Sequence, residues 1–217
     1  MGKIGFTALQ RKLFNFVAKS TLAPQFYFTG GTALSVFYLQ HRKSDDLDFF
    51  SEQDFDNEPI LELVKRFSSS INLEYRFTQI EGTRIFEFVG KGKLLLKVDF
   101  NYYPYRRVEE GTKWEGVAID SLRDIAGNKL LTINQRTDVK DFVDLYFLLK
   151  DHFTIWDLLY VIEAKFRMKL DLMMLASDFL KVEEFDFLPK MLVPLTNKEL
   201  NDFFREQAIM IGKRVTE

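Results

Sequence analysis

The sequence predicts an α/β (α+β) protein in which strands and helices alternate in the first part and helices alone form the second. Short apolar or alternating stretches bounded by glycine and proline, which are typical of strands, lie before Pro104. Beyond Asp120, apolar residues recur at helical spacing without strand-like stretches. The chain of 217 residues is 47% hydrophobic, which is enough to bury the core of one large domain or two small ones.

In the first part, apolar periodicity and chain-breaking residues set the expected elements. Leu9, Leu13 and Val17 recur at helical spacing, and Pro24 limits that helix. The short aromatic run before Gly30 is typical of a buried strand, and glycines separate three later strand candidates. The expected helices are 9–19, 32–40 and 59–70, and the expected strands are 25–29, one carrying Asp46 and Asp48, 72–79, 84–89 and 93–102.

In the second part, five stretches carry helical apolar spacing, and Pro189 and Pro194 mark a loop before the last of them. We place a soft boundary between the two parts within 105–119. The expected domains are therefore 1–110 and 111–217. The expected helices of the second domain are 121–133, 139–149, 155–166, 171–180 and 198–211.

Composition excludes several classes of protein and site. The formal net charge of -2 gives no global attraction to nucleic acid, so any RNA contact has to use local patches. The absence of cysteine excludes disulfides and thiolate metal sites, and two histidines argue against a histidine-rich zinc site. No stretch resembles a signal peptide or is apolar and long enough to cross a membrane. We expect a soluble, cytoplasmic protein with no membrane partner.

The most unusual chemistry lies between residues 28 and 50. Gly30 and Gly31 follow an aromatic run and precede Thr32, and glycines let backbone N–H groups approach an anion closely. Asp46 and Asp48 have the spacing that puts both side chains on one face of a strand. Two neighbouring carboxylates are costly without a cation, and oxygen ligands suit Mg²⁺. The stretch predicts a metal site beside a phosphate-binding turn.

Asp99 is a third carboxylate in an otherwise apolar strand, on the same face as Lys97. Either motif by itself has an ordinary explanation, because most glycine pairs are turns and exposed acidic turns are common. Three strand-borne acids facing one site would instead hold two Mg²⁺ ions, with Mn²⁺ as an alternative, for in-line displacement on a nucleoside triphosphate.

Two charged residues fall on apolar helix faces. At about 100° per residue, Lys129 projects into an apolar stripe, and so does Asp141, with Asp144 at the edge of the same face. Inward charges are costly unless they are paired or bind something charged. Two explanations stay open: a structural ion pair between neighbouring helices, and charged groups of the functional site. A site that includes them would lie in a cleft between the two parts.

The motifs resemble those of a known family, the nucleotidyltransferase domain of the abortive-infection AbiEii/AbiGii toxins within the DNA polymerase β-like superfamily. The first motif is the most specific, and a later stretch, Lys129 to Leu149, is similar to the family's helical signature. The first motif reads Gly30-Gly31-Thr32-Ala33-Leu34, then Arg42-x-Ser44-x-Asp46-Leu47-Asp48-Phe49-Phe50. The resemblance implies a nucleotidyltransferase-fold mixed sheet flanked by helices, with a C-terminal helical bundle that closes over the nucleotide.

The resemblance also implies roles for individual residues. Metal ligands would be Asp46, Asp48 and, by its strand context, Asp99. Lys129 would contact the nucleotide phosphates, and Asp141 would lie near the active centre. The implied substrate-binding residues are Gly30, Gly31, Thr32, Arg42, Ser44 and Asp144.

The implied activity is Mg²⁺-dependent transfer of a nucleoside monophosphate from a nucleoside triphosphate to RNA. Some members of the family transfer nucleotides to the 3′ end of tRNA, and members are toxins of toxin–antitoxin pairs, so a cognate antitoxin protein is implied as a partner. Two alternatives stay open. One is a non-catalytic nucleotide- or RNA-binding module with a degenerate nucleotidyltransferase fold. The other is a phosphotransferase that modifies a protein side chain.

Overall fold

A computed structural model describes residues 5–216, with side chains described up to Arg214. The chain divides into two compact units. We call them the sheet unit, which comprises the chain up to Tyr38, Ser44–Arg106 and Glu110–Ser121, and the helical unit, which comprises Leu39–Lys43, Arg107–Glu109 and the chain from Leu122 onward. The expected division at 110/111 therefore lies before the observed end of the sheet unit. Residues 1–4 and 217 of the expected domains lie outside the described residues.

All strands of residues 5–216 belong to one mixed sheet in the order β3-β4-β5-β2-β1-β7-β6. Strand β1 pairs antiparallel with β2 and parallel with β7, and β2 pairs parallel with β5. The remaining pairs, β3 with β4, β4 with β5 and β6 with β7, are antiparallel. The strands are β1 (Tyr27–Thr29), β2 (Asp46–Ser51), β3 (Glu74–Ile80), β4 (Thr83–Gly90), β5 (Lys93–Tyr102), β6 (Lys113–Trp114) and β7 (Val117–Ile119).

Side-chain alternation gives the sheet one apolar face and one polar face. In β2, Leu47 and Phe49 are fully buried, and Phe49 stacks on Phe100 of β5 at 5.3 Å between ring centroids. The helices of the sheet unit are α1 (Ala8–Ala18), the short α2 (Gly30–Ala33) and α3 (Asn57–Ile71). Phe14 of α1 packs edge-on against Phe28 of β1, which places α1 on the apolar face.

Two elements differ from the sequence prediction. The expected helix 32–40 is instead α2 followed by a π-helical stretch, Leu34–Leu39. The short strands β6 and β7 fall inside the region that we expected to be a boundary. Neither strand spans more than three residues, which is too short for a pattern of alternation to be legible in the sequence.

The helical unit contains α4 (Leu122–Gln135), α5 (Val139–Asp151), α6 (Ile155–Phe166), α7 (Leu172–Leu180) and α8 (Asn197–Thr216). Phe142 of α5 and Phe179 of α7 both pack edge-on against Phe204 of α8, which joins three helices in one aromatic core. Arg42 forms an isolated antiparallel bridge with Met191, so the segment 39–43 is held by the loop before α8. Within residues 5–216, no helix has the length and hydropathy needed to span a membrane.

Candidate active site

The predicted carboxylates share the polar face of the sheet. In the parallel β2–β5 pair, Asp46 is the register partner of Lys97, and Asp48 is the partner of Asp99. Paired residues on adjacent strands lie about 4.8 Å apart and point to the same face. The register therefore confirms that the three acids lie side by side, while their role as metal ligands stays a prediction.

Gly30 lies directly under the carboxylate of Asp48. Its φ of +74° is a conformation that favours glycine, and a Cβ at this position would come within 2.2 Å of Asp48 Oδ2. The pairing of Thr29 with Asp48 in the β1–β2 ladder brings the turn and the carboxylate together. The glycine of the predicted phosphate-binding turn is thus required for the position of the predicted metal ligand.

Thr32 and Asp120 hold the turn in place. The Thr32 hydroxyl donates to the backbone carbonyl of Asp46, and Thr32 is buried, so a phosphate contact by this residue would have to use its backbone N–H. Asp120, directly after β7, is fully buried and accepts from the Thr29 hydroxyl at 2.7 Å. The backbone N–H of Asp120 donates to Phe28 at 2.9 Å, which fixes the end of β1. Asp120 therefore positions the turn, a role the sequence did not indicate.

Lys97 is a cation within the carboxylate cluster. Its Nζ lies 2.6 Å from Asp99 Oδ2, with 29% of the Lys97 side chain and 12% of the Asp99 side chain exposed. The second oxygen, Asp99 Oδ1, is buried without a hydrogen-bond partner. The sequence placed Lys97 on the polar face of its strand, but only the strand register shows that it lies among the acids.

The electrostatics of this pair are unequal. Burial alone would lower the pKa of Lys97, but the hydrogen bond and charge of Asp99 raise it, with further contributions from Asp46 and Asp48. Burial raises the pKa of Asp99 and outweighs the lowering by Lys97, and Asp46 adds to the rise. Both pKa values are raised, which favours the charged form of Lys97 and disfavours the charged form of Asp99, because the carboxylate is the more deeply buried partner. Lys97 therefore compensates the charge of Asp99 only in part.

The carboxylate oxygens of Asp46 and Asp48 suit a hard cation, whereas one oxygen of Asp99 already has a partner. Asp46 and Asp48 are half-buried neighbours with oxygen donors, which fits Mg²⁺ or Mn²⁺. In the part of the chain from 5 to 216, no three histidine, cysteine, aspartate or glutamate side chains converge as a metal-binding group. One oxygen of Asp99, Oδ2, contacts the Lys97 ammonium at 2.6 Å. The oxygen donors of the β2 acid pair fit a metal, and the role of Asp99 as a metal ligand stays a prediction.

In the helical unit, Asp144 is the centre of a buried charge cluster. Asp144 is fully buried, and both its oxygens are occupied. Arg42 Nε and Nη2 lie 2.6 and 2.8 Å from its two oxygens, His41 Nε2 lies 2.6 Å away, and Lys129 Nζ lies 2.6 Å away. Arg42 and Asp144 thus use their charges on each other, while their binding of substrate stays a prediction.

Lys129 and Asp141 form the ion pair that was one of the two open explanations. Lys129 Nζ lies 2.7 Å from Asp141 Oδ1, and Asp141 is 1% exposed. Arg136 Nε donates to the other oxygen of Asp141 at 2.8 Å, while 62% of its side chain is exposed. The pair is present, and a contact of Lys129 with nucleotide phosphates stays a prediction.

The pKa directions in this cluster favour the charged forms. Burial would raise the pKa of Asp144, but Lys129 and Arg42, with hydrogen bonds from His41 and Arg42, hold it well below its usual range. Burial would lower the pKa of Lys129, but Asp144 and Asp141 raise it. The cluster is therefore a set of mutually compensating ions that is stable only when complete.

Of the remaining predicted residues, Gly31 lies in α2, next to Gly30. Ser44 is half-buried, and its backbone carbonyl accepts from Gln10 Nε2 at 2.9 Å. The sheet unit thus brings together the glycine turn and the three acids, and the helical unit brings together Arg42, Lys129, Asp141 and Asp144.

Comparison with known proteins identifies the chain. Residues 11–210 match the family described as "Nucleotidyl transferase AbiEii toxin, Type IV TA system". The chain belongs to the AbiEii nucleotidyltransferase toxin family. The resemblance stated from the motifs is confirmed, and the protein is a nucleotidyltransferase. It is also 36% identical over 153 residues to an uncharacterized protein of Aquifex aeolicus, which covers 69% of this chain and 68% of that protein.

Solved structures share the fold of this AbiEii-family chain. JHP933 from Helicobacter pylori superposes with a TM-score of 0.58 at 23% identity, covering 96% of this chain and 90% of that chain. The nucleotidyltransferase toxin MenT4 from Mycobacterium tuberculosis superposes with a TM-score of 0.59 at 15% identity, covering 94% and 81%. The predicted fold class, a mixed sheet with helices of the nucleotidyltransferase-toxin type, is confirmed.

Proposed function

We propose that this AbiEii-family protein transfers a nucleoside monophosphate from a nucleoside triphosphate to an RNA acceptor, the 3′ end of tRNA, with the help of Mg²⁺. The observation that carries the proposal is the acid pair of β2 placed against the Gly30 turn. Family membership supports the reaction class. The tRNA acceptor, the cytoplasmic location and restraint by a cognate antitoxin rest on the resemblance to the family.

Different residues of the chain would bind the metal and the phosphates. Asp46 and Asp48 would hold the metal, which when bound offsets triphosphate charge and lowers the pKa of the acceptor hydroxyl. Backbone N–H groups of the turn from Gly30 to Thr32 would bind phosphate oxygens, since glycine permits close approach. The acceptor oxygen then forms a bond to the α-phosphorus as the bond to the pyrophosphate breaks. The proton of the acceptor hydroxyl leaves to solvent or to a carboxylate of the site.

Removal of one metal ligand tests this assignment. The protein is incubated with labelled nucleoside triphosphates, Mg²⁺ and total RNA, and label in RNA is measured. Asp48→Asn is expected to lose more than the roughly 10–100-fold typical for residues that merely support a metal ligand. Asp45→Asn is the matched control, because Asp45 is the exposed neighbour of Asp46 and lies outside the strand face. Equal labelling by the Asp48→Asn variant and the unaltered protein would contradict the role of Asp48.

A non-catalytic binding module is the second candidate, and the contact of Lys97 with Asp99 favours it, since this contact occupies a carboxylate oxygen that a metal would otherwise use. This candidate predicts nucleotide binding with little dependence on Mg²⁺ and no labelled RNA with any acceptor. Loss of binding on removal of Mg²⁺, together with labelled RNA, would exclude it.

A further inference from the structure

The carboxylate cluster contains a cation from the chain itself. Lys97 Nζ is 2.6 Å from Asp99 Oδ2, a charge-assisted hydrogen bond at the short end of its range. In register, Lys97 also faces Asp46 of β2 on one side and Glu87 of β4 on the other. The lysine is thus surrounded by acids in three neighbouring strands.

The same three acids that are the candidate metal ligands act on this ammonium. The charges of Asp99, Asp46 and Asp48 all raise the pKa of Lys97. The same carboxylates therefore attract both the Lys97 ammonium and any metal cation that binds at this site. Lys97 offsets only one of these negative charges, so the acids keep a net negative charge that attracts a divalent ion.

Asp99 shows that the cluster is not fully compensated. Asp99 is 9% exposed, and its Oδ1 atom is buried without a partner. A buried carboxylate oxygen without a donor or cation is costly, so Asp99 has a further demand for positive charge that Lys97 does not meet. If Lys97 left Asp99, the oxygen that it now occupies, Oδ2, would become available to a metal.

We propose that Lys97 is a built-in counter-ion that competes with divalent metal for Asp99, so that the site without nucleotide binds one divalent ion, at Asp46 and Asp48, rather than two. This inference deepens the proposed function and rests on it for the identity of the metal ligands. Lys97 is a positioning residue in this account, because it acts through Asp99 and not on the reacting atoms.

The test is a titration with Mn²⁺ alone, followed by electron paramagnetic resonance of free Mn²⁺ and by calorimetry, without nucleotide. The unaltered protein is expected to bind one Mn²⁺. Lys97→Met is expected to bind a second Mn²⁺, or to bind the first at least about tenfold more tightly, because a unit charge that repels a divalent ion at close range is removed. Lys97→Arg keeps the charge and should resemble the unaltered protein.

Lys93→Met is the matched control, since Lys93 is an exposed lysine at the start of the same strand, four residues from Lys97 and beyond the bulge that shifts the β4–β5 register. It should leave the Mn²⁺ titration unchanged. If Lys97→Met binds Mn²⁺ no more tightly than the unaltered protein, or binds it more weakly, the inference is overturned. The weaker binding would mean that Lys97 orients Asp99 for the metal.

Lys97→Met leaves Asp99 buried without a counter-charge. If that variant does not fold for this reason, a second pair of variants provides the test. Asp99→Asn keeps the lysine charge, and the double variant Lys97→Met/Asp99→Asn removes both partners, a change that is often close to neutral for stability. The double variant is expected to bind Mn²⁺ at least about tenfold more tightly than Asp99→Asn. Since neither variant has the Asp99 carboxylate, this comparison isolates the repulsion between the Lys97 ammonium and a metal at Asp46 and Asp48. Equal affinities would show that Lys97 is not a counter-ion of this site and would overturn the inference. The transfer assay with Asp48→Asn reports separately on the proposed function, so the two failures are distinguishable.

Discussion

Gly30 shows how one residue links the turn and the metal ligand. From the sequence, we expected Gly30 to let backbone N–H groups approach an anion. The structure adds that the carboxylate of Asp48 occupies the space that a Cβ of residue 30 would need. An alanine would therefore both strain the backbone and displace Asp48.

We expect Gly30→Ala to lower stability by more than the roughly 1–2 kcal/mol of a left-handed non-glycine residue, and to reduce nucleotide transfer. At this chain length each kcal/mol lowers Tm by about 2–4 °C, so thermal unfolding and the RNA-labelling assay measure both effects. The control is Gly92→Ala, because Gly92 has φ +73° and no atom within 4 Å of its Cβ position. The Gly92→Ala variant should lose stability through backbone strain alone, without displacing a neighbouring side chain. Transfer by Gly30→Ala at the level of Gly92→Ala would refute the proposed link.

Residue patterns predicted part of the site and missed the rest for a physical reason. Alternation within one strand is local, so the shared face of Asp46 and Asp48 was legible in the sequence. The same alternation could have predicted that Lys97 lies beside Asp99. The neighbours of Lys97 on β2 and β4, however, depend on strand order and register, which are set by the whole sheet. The buried role of Asp120 likewise depends on the parallel pairing of β1 and β7.

At the scale of elements, long helices were the most predictable. The expected helices 121–133, 139–149 and 155–166 correspond to α4, α5 and α6, since several turns of apolar spacing give a strong signal. The π-helical stretch 34–39 and the strands β6 and β7 were missed, because a wider helical turn and strands of two or three residues leave little periodicity to detect.

The segment with Arg42 and the helices α4 and α5 meet at Asp144, which predicts an acid-sensitive stability. The pKa of Asp144 lies well below its usual range in the folded protein, against about 3.9 in an unfolded chain. Its ionised form therefore stabilises the fold fully above about pH 4, and this contribution is lost as the pH falls toward the folded pKa.

Asp144→Asn should lower the free energy of unfolding at pH 7 by about 3–5 kcal/mol, since Arg42 and Lys129 stay buried without their carboxylate. Urea unfolding between about pH 2.5 and pH 7 measures this, and the variant should lose less stability on acidification than the unaltered protein. Asp151→Asn, an exposed residue of the same helix, serves as the control. Parallel pH profiles for the Asp144→Asn variant and the unaltered protein would show that Asp144 has no such role.

At the scale of the molecule, the sequence predicted the family and the division into a sheet part and a helical part. Its motifs sufficed for the family because they combine a turn, an acid pair and a helical signature in a fixed order. The nucleobase and the acceptor could not be predicted, since they depend on the shape of the surface that binds them. The closing of the helical domain over the nucleotide stays a prediction.

The central claim is nucleotidyl transfer, and the position of the label in the nucleotide tests it most directly. The protein is incubated with Mg²⁺, total tRNA and nucleoside triphosphate labelled at either the α- or the γ-phosphorus. Attack at the α-phosphorus predicts that tRNA gains the α-label while the γ-label is released as pyrophosphate. Transfer of the γ-label to an acceptor, with release of nucleoside diphosphate, would contradict the account and establish a phosphotransferase instead.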